Sequence, residues 1–415
     1  MSTLLISISH STFQGLLESR SPRLGPLLEK IMNVQIVQPL IPEYRVPFFQ
    51  KLVQNSAHQV RVFASRQLPN DPSIKTAACI DSALHLDHPC TGFFNNRLLW
   101  QGGILLEDRL SSGDVLVVCG NARFLSNYPL IWQAKRRNIA TVWWGIGSMP
   151  GQNRLRYFLR TTIMRWMDIV LLYTEREKQE FLRMGFPPER LFAINNAIDQ
   201  GSVQAATASW PPSRVAAFKQ EHGLSGKQVL LFCGRLSAKA RVDLAIEALA
   251  LLCKQNKDYL LVIIGDGDQR RNLEELAERL NVAQSIRWLG ALYDQNLMAP
   301  WFLSAKVFVY PGYIGLSIMH AMGYALPVIT HQNMANQSPE VAALVDGRNG
   351  LLCEENSSSD LCNKIVRLLT DEDLRMAMSK RALFTASEEF TLSEMVRRFW
   401  EAAHAAASIK GRVDA

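Results

Sequence analysis

One pattern constrains this chain more than any other: an apolar or β-branched run of about five residues, a turn, and then a helical segment of roughly ten or more. In the first half the runs are VQIVQPL (34–40), VRVFAS (60–65), DVLVVCG (114–120), ATVWWG (140–145) and DIVLLYT (168–174). In the second half they are QVLLFCG (228–234), YLLVIIG (259–265), SIRWLG (285–290), KVFVYP (306–311) and LPVIT (326–330). Helices are predicted over 47–55 and 176–185, the latter stopping at Gly185. Such alternation predicts an α/β fold with parallel sheets covered by helices on both faces.

A chain of 415 residues is long for one core, so two domains are expected. The stretch GSVQAATASWPPSRVAAFKQEHGLSG (201–226) interrupts the alternation with small residues, a proline pair and glycines. The expected division is an N-terminal extension (1–31), a first domain (32–205), a linker (206–225), a second domain (226–388) and a C-terminal helix (389–415) able to cross back onto the first domain.

Apolar residues make up 48% and charged residues 20%, the profile of a folded enzyme rather than of a disordered chain. The formal charge of +7 favours an anionic partner, and phosphorylated small molecules, anionic lipid and nucleic acid all qualify. No nucleic-acid reading motif accompanies it, which ranks that partner low. The seven cysteines form no close pair and no histidine stands at ligand spacing, so free thiols and no metal site are expected. The opening MSTLLISISHSTFQGLL lacks the positive start of a secretory signal. Together these predict a cytoplasmic protein, with attachment to the inner face of the cell membrane left open.

In doubly wound domains, ligands collect at the carboxyl ends of the strands. GRLSAKARVD (234–243) crowds Arg235, Lys239 and Arg241 into one such turn, either a phosphate grip or a solvated edge. IIGDGDQRR places Gly265 and Gly267 around Asp266 without a full dinucleotide fingerprint, and reads first as a common turn. YPGYIGLSIMHAM sets Gly312 after Pro311 and Gly315 before a helix, where backbone N–H groups of Gly315 and Leu316 can receive a diphosphate. His320 lies in that helix, as a ligand contact or as a satisfied polar residue. In VWWGIGSMP, Trp143 and Trp144 are either sugar-stacking or core rings. RLRYFLRTTIMRWM mixes Arg154, Arg156, Arg160 and Arg165 with aromatics, either resting on anionic lipid or partly buried with its arginines reaching water.

Taken in order, VQPLIPEYRVPFFQKL, FAINNAIDQ, GRLSAKARVDLAIEAL, LVIIGDGDQRRNLEELAERL, IRWLG and YPGYIGLSIMHAMGYALPVITHQN…SPEVAALVDGRNGLL resemble glycosyltransferase family 4. The resemblance implies two Rossmann-like domains facing a central cleft, the B-type architecture. It implies a retaining, metal-independent transfer of a sugar, from a nucleotide sugar bound mainly by the second domain to an acceptor on the first. It is also similar to a polysaccharide-building branch, whose acceptor is a glycan or lipid-linked sugar. On matching positions, Arg235 is the diphosphate arginine, Gly315 and Leu316 form the cradle, and Gly265 and Gly267 lie near the base. The family lysine five residues after that arginine is here Ala240, with Lys239 and Arg241 beside it as substitutes. The two hallmark glutamates are Gly312 and His320. Their loss leaves two alternatives to an active transferase: a silent nucleotide-sugar-binding partner protein, and, with a poorer fit to the motif order, an epimerase. His320 is expected to bind the donor ribose.

Overall fold

The computed structural model describes residues 31–54, 57–69, 71–76, 83–147, 154–254 and 258–411. Most of the N-terminal extension, and Cys79, lie outside the described residues.

The first sheet is wholly parallel. Its strands are β1 (Asn33–Val37), β2 (Gln59–Phe63), β3 (Leu84–His85), β4 (Val115–Cys119), β5 (Ala140–Trp144), β6 (Ile169–Leu172) and β7 (Leu191–Ala193), in the spatial order β7-β6-β5-β4-β1-β2-β3. Every residue of β4, β5 and β6 is buried, as strands covered on both faces require. A hairpin of Cys90–Phe93 with Leu98–Gln101 lies beside the sheet and bridges through Leu99 to Phe124.

The second sheet comprises β8 (Gln228–Cys233), β9 (Tyr259–Ile264), β10 (Ile286–Gly290), β11 (Val307–Val309), β12 (Val328–His331) and β13 (Gly350–Cys353). Its order is β10-β9-β8-β11-β12-β13, again parallel throughout. The order reverses at β8, so the turns after β8 and β11 open beside one another.

A first core fills one face of the first sheet, with a separate cluster on its other face, and a second core fills the second domain; among the described residues the chain passes between the domains twice. Ala197 belongs to the first core, whereas Ile198, Val203 and Ala206 belong to the second. The first crossing therefore precedes the expected 206–225 linker. The helices Gln200–Ala208 and Pro212–Glu221 occupy that stretch, with the small residue Ala206 buried in the second core, and Gln200 Nε2 donates to the Met319 carbonyl at 3.1 Å. Phe390 packs on the second core, but Leu392 opens a helix (Leu392–Gly411) whose Met395, Phe399, Ala402 and Ala406 lie in the first. Phe399 meets Trp144 at 5.8 Å between ring centroids, and Phe48 stands 5.6 Å from the same indole. Both Trp143 and Trp144 are buried, which settles them as core rings rather than sugar platforms.

Candidate active site

The turn after β8 carries Arg235 and Lys239, both exposed. It is stitched to the turn after β9. Gly234 N–H donates to the Ile264 carbonyl at 2.9 Å, Leu236 N–H to that of Asp266 at 3.0 Å, and Gln269 N–H to that of Leu236 at 3.0 Å. Gly265 has φ 143°, and a Cβ there would stand 1.9 Å from the Gly234 oxygen; one on Gly267 would stand 2.4 Å from the Leu236 oxygen. Both glycines thus let two backbones touch, a packing role that exists without any ligand.

Position 240 explains its own alanine. Ala240 is buried in the second core, so a lysine there would carry its charge into an apolar interior. The chain turns over at Arg241, with φ 50°, which leaves Lys239 facing solvent. Arg241 is not a spare cation: its guanidinium pairs with Asp243 at 2.8 Å and also contacts Asn356. The side chain lines a separate depression of about 330 Å³ with Ser237, Gln269 and Arg279.

Lys239 meets the turn after β11 directly. Its carbonyl accepts from Tyr313 N–H at 2.9 Å, and its Nζ lies 5.9 Å from the Tyr313 ring centroid. Gly312 is pressed onto the same backbone: a Cβ would fall 2.1 Å from the Lys239 oxygen and 2.6 Å from the Ala240 carbonyl carbon. At Gly315, by contrast, an added Cβ meets nothing within 4 Å. The 315–316 backbone thus borders open space, and Leu316 precedes the short helix Ser317–Gly323.

In that helix His320 has a partner. Its Nε2 is 3.3 Å from Gln295 Nε2, and Gln295 Oε1 accepts from the Tyr324 hydroxyl at 3.0 Å. With the amide oxygen occupied by Tyr324, the amide nitrogen donates and His320 Nε2 accepts, which puts the ring proton on Nδ1. Burial lowers the imidazole pKa to about 4, so the ring is neutral at physiological pH.

Between the domains opens a cavity of about 770 Å³, which none of the expected site residues lines. Thr174, Glu177 and Asn195 face it from the first domain, and Tyr313, Gln337 and Ser338 from the second. Glu177 is buried, and desolvation pushes its carboxyl up to about 6, although it accepts from Gly147 N–H at 2.8 Å and Tyr173 N–H at 3.1 Å. It closes a capping box with Thr174, whose hydroxyl accepts from Glu177 N–H at 3.1 Å. That box, T-x-x-E at 174–177, was readable in the sequence; the reach of the carboxylate to Gly147 was not.

In the first domain the two described arginines of the 154–167 stretch divide, Arg165 being exposed as expected and Arg160 not. Arg160 is buried, and Arg165 lies 4.3 Å from the Phe186 ring centroid. The side chains of Arg154 and Arg156 lie outside the described set. Among the described side chains of the helix Arg154–Trp166, Phe158, Leu159, Thr162, Arg165 and Trp166 are exposed, so apolar residues share the outer face with an arginine. Among the described residues no helix is long and apolar enough to cross a membrane, and no group of three or more His, Cys, Asp or Glu side chains is placed to hold a metal ion.

Two parallel α/β domains with a cleft between them define the B-type glycosyltransferase architecture, and comparison with known proteins agrees. Residues 215–383 match the family described as glycosyl transferases group 1. The chain is similar to the alpha-D-kanosaminyltransferase of Streptomyces kanamyceticus, 26% identical over 228 residues, which is 54% of this chain and 57% of that protein. In structure it resembles a glycosyltransferase from Rickettsia africae (TM-score 0.65, 14% identity), over 90% of this chain and 98% of that one. It also resembles HepE of Anabaena in complex with UDP-glucose (TM-score 0.59, 14% identity), over 89% and 98%. The chain has the B-type glycosyltransferase fold, consistent with family 4.

Proposed function

We propose that this protein is a retaining transferase that moves a sugar from a nucleotide sugar to a glycan or lipid-linked acceptor in surface-polysaccharide assembly. One observation carries the reading: the Lys239–Tyr313 backbone hydrogen bond joins the cationic turn of Arg235 and Lys239 to the turn whose Gly315 faces open space. A diphosphate seated there meets two cations and the backbone amides at 315 and 316. Those groups stabilise the charge that gathers on the departing diphosphate, and the first domain presents the acceptor hydroxyl across the cleft. UDP-sugars are the first donors to try, because HepE binds UDP-glucose.

Two exposed helix faces support attachment to an anionic membrane surface. Phe158 and Leu159 are more than half exposed, and Trp132 and Trp166 stand out nearby. Lys135 Nζ lies 5.6 Å from the Trp166 ring centroid and Arg136 lies 4.6 Å from that of Trp132. Aromatic rings paired with cations suit the boundary between lipid headgroups and acyl chains.

The test is product formation from a panel of nucleotide sugars with membrane-extracted lipid-linked acceptors, in wild type and Arg235→Ala. Transfer is expected, reduced at least about tenfold by the substitution, or roughly 1.4 kcal/mol. Donor binding without product from any acceptor would favour the silent nucleotide-sugar-binding partner that the missing glutamates at 312 and 320 also permit. Equal rates in folded R235A count against the diphosphate contact.

A further inference from the structure

A line of polar contacts runs from the first domain into the turn at 312–316. Arg45, partly buried at the start of the first domain's first helix, donates through Nη2 to Asn196 Oδ1 at 2.9 Å. Asn196, itself buried, donates through Nδ2 to Glu340 Oε1 at 2.8 Å. The other oxygen of Glu340 lies 2.7 Å from the Ser338 hydroxyl, which also contacts the Ile314 carbonyl. Ile314 is held at its other end too, since its N–H donates to Gln337 Oε1 at 3.0 Å. Gln337 is in turn fixed by Thr330 Oγ1 at 2.8 Å and the His331 carbonyl at 3.2 Å.

The placement of these contacts matters more than their number. Asn196 immediately precedes Ala197, the residue after which the chain leaves the first core. Both backbone groups of Ile314 are gripped by the 337–338 segment, so any shift of that segment is passed to the neighbouring Gly315 and Leu316. Glu340 is the member of the line that bonds across the domains: it accepts from Asn196 Nδ2, while its other oxygen shares the one proton of the Ser338 hydroxyl with the Ile314 carbonyl.

We propose that Asn196 and Glu340 form a positioning latch, in which docking of the first domain, relayed through Ser338 and Ile314, sets the turn that receives the donor diphosphate. The latch rests on the reading of 315–316 as that turn. Neither residue need touch the donor.

The test is calorimetric titration with whichever of UDP, GDP, ADP and TDP the wild type binds most tightly, in parallel with thermal melting. Asn196→Asp opposes two carboxylates and is expected to weaken nucleotide binding about tenfold; adding Glu340→Gln restores a carboxylate–amide pair of reversed polarity and returns affinity to within about threefold of wild type. Ser338→Ala, which leaves the interdomain pair intact but cuts the relay, is expected to lose about as much as N196D. Equal affinity in wild type and S338A overturns the proposal, as does a double variant in which the two single losses multiply instead of cancelling. If N196D does not fold, S338A alone decides. Arg235→Ala separates this from the donor site: intact affinity in R235A removes the arginine contact, while the latch is still judged by rescue. Binding of none of the four nucleotides overturns both.

Discussion

Gly312 and Lys239 touch through their backbones so closely that a Cβ on the glycine would lie 2.1 Å from the lysine's carbonyl oxygen. The position where family 4 carries an acid is therefore sterically closed in this protein. Restoring the residue, as in Gly312→Glu, is expected to lower the melting temperature, by about 1–3 kcal/mol of stability as overpacking does, and to give no gain in transfer. A faster, equally stable variant would show that the 239–240 backbone yields readily.

Gly315 gives the opposite expectation. Nothing lies within 4 Å of an added Cβ, so Gly315→Ala leaves the fold alone or stabilises it by about 0.4–1 kcal/mol through the unfolded chain. A loss of nucleotide affinity in a variant that melts no lower than wild type isolates the cradle, since the new methyl meets only a ligand. Wild-type affinity refutes it.

His320 offers a hydrogen-bond donor at Nδ1, with Nε2 held by Gln295. Against a ribose hydroxyl it gives rather than accepts, the reverse of a carboxylate. His320→Ala is expected to weaken donor binding by on the order of 1–3 kcal/mol. It should also shrink the penalty for a 2′-deoxy donor; an undiminished penalty removes the ribose contact.

Titration of His320 and Glu177 pulls stability in opposite directions. The imidazole falls from 6.5 in the unfolded chain to about 4 when folded, so the unfolded chain binds the proton first and stability drops as pH falls across that range. The Glu177 carboxyl rises from 4.5 to about 6, so the folded protein binds the proton first and stability drops as pH rises from 4.5 to 6. Wild type should show a shallow dependence there. Melting of His320→Asn should fall with rising pH between these limits, and that of Glu177→Gln should fall with lowering pH; two slopes of the same sign would contradict the assignment.

On the outer face, wild type should co-sediment with anionic vesicles less as salt rises. The double variant Phe158→Ser with Leu159→Ser should bind more weakly at every salt concentration. Equal sedimentation of both proteins would show that these two side chains do not enter the lipid.

Much of the scaffold was legible because strands such as 115–119 and 259–264 are unbroken apolar runs of strand length. Strands at 84–85, 191–193 and 350–353 were missed, whereas the equally short strands at 307–309 and 328–331 were found because a longer apolar run surrounds each. The motif turns were legible too, but not the direction of their side chains. No local pattern tells that the backbone turns left-handed at Arg241, burying Ala240 and delivering Arg241 to Asp243. Asn196 and Glu340 escaped notice for a related reason: 144 positions separate them, and only the folded chain shows that they meet.

The two passages of the chain between domains, at Ala197–Ile198 and at Phe390–Leu392, act like the two pins of a door. Two fixed points define a line, and a body held at both turns about that line more easily than it slides or twists. Asn195 and Phe390 stand beside the pins, and both line the 770 Å³ cavity. Points near an axis sweep short arcs, whereas points far from it sweep long ones. A rotation of one domain about that line would displace the Asn195 and Phe390 ends of the cavity least.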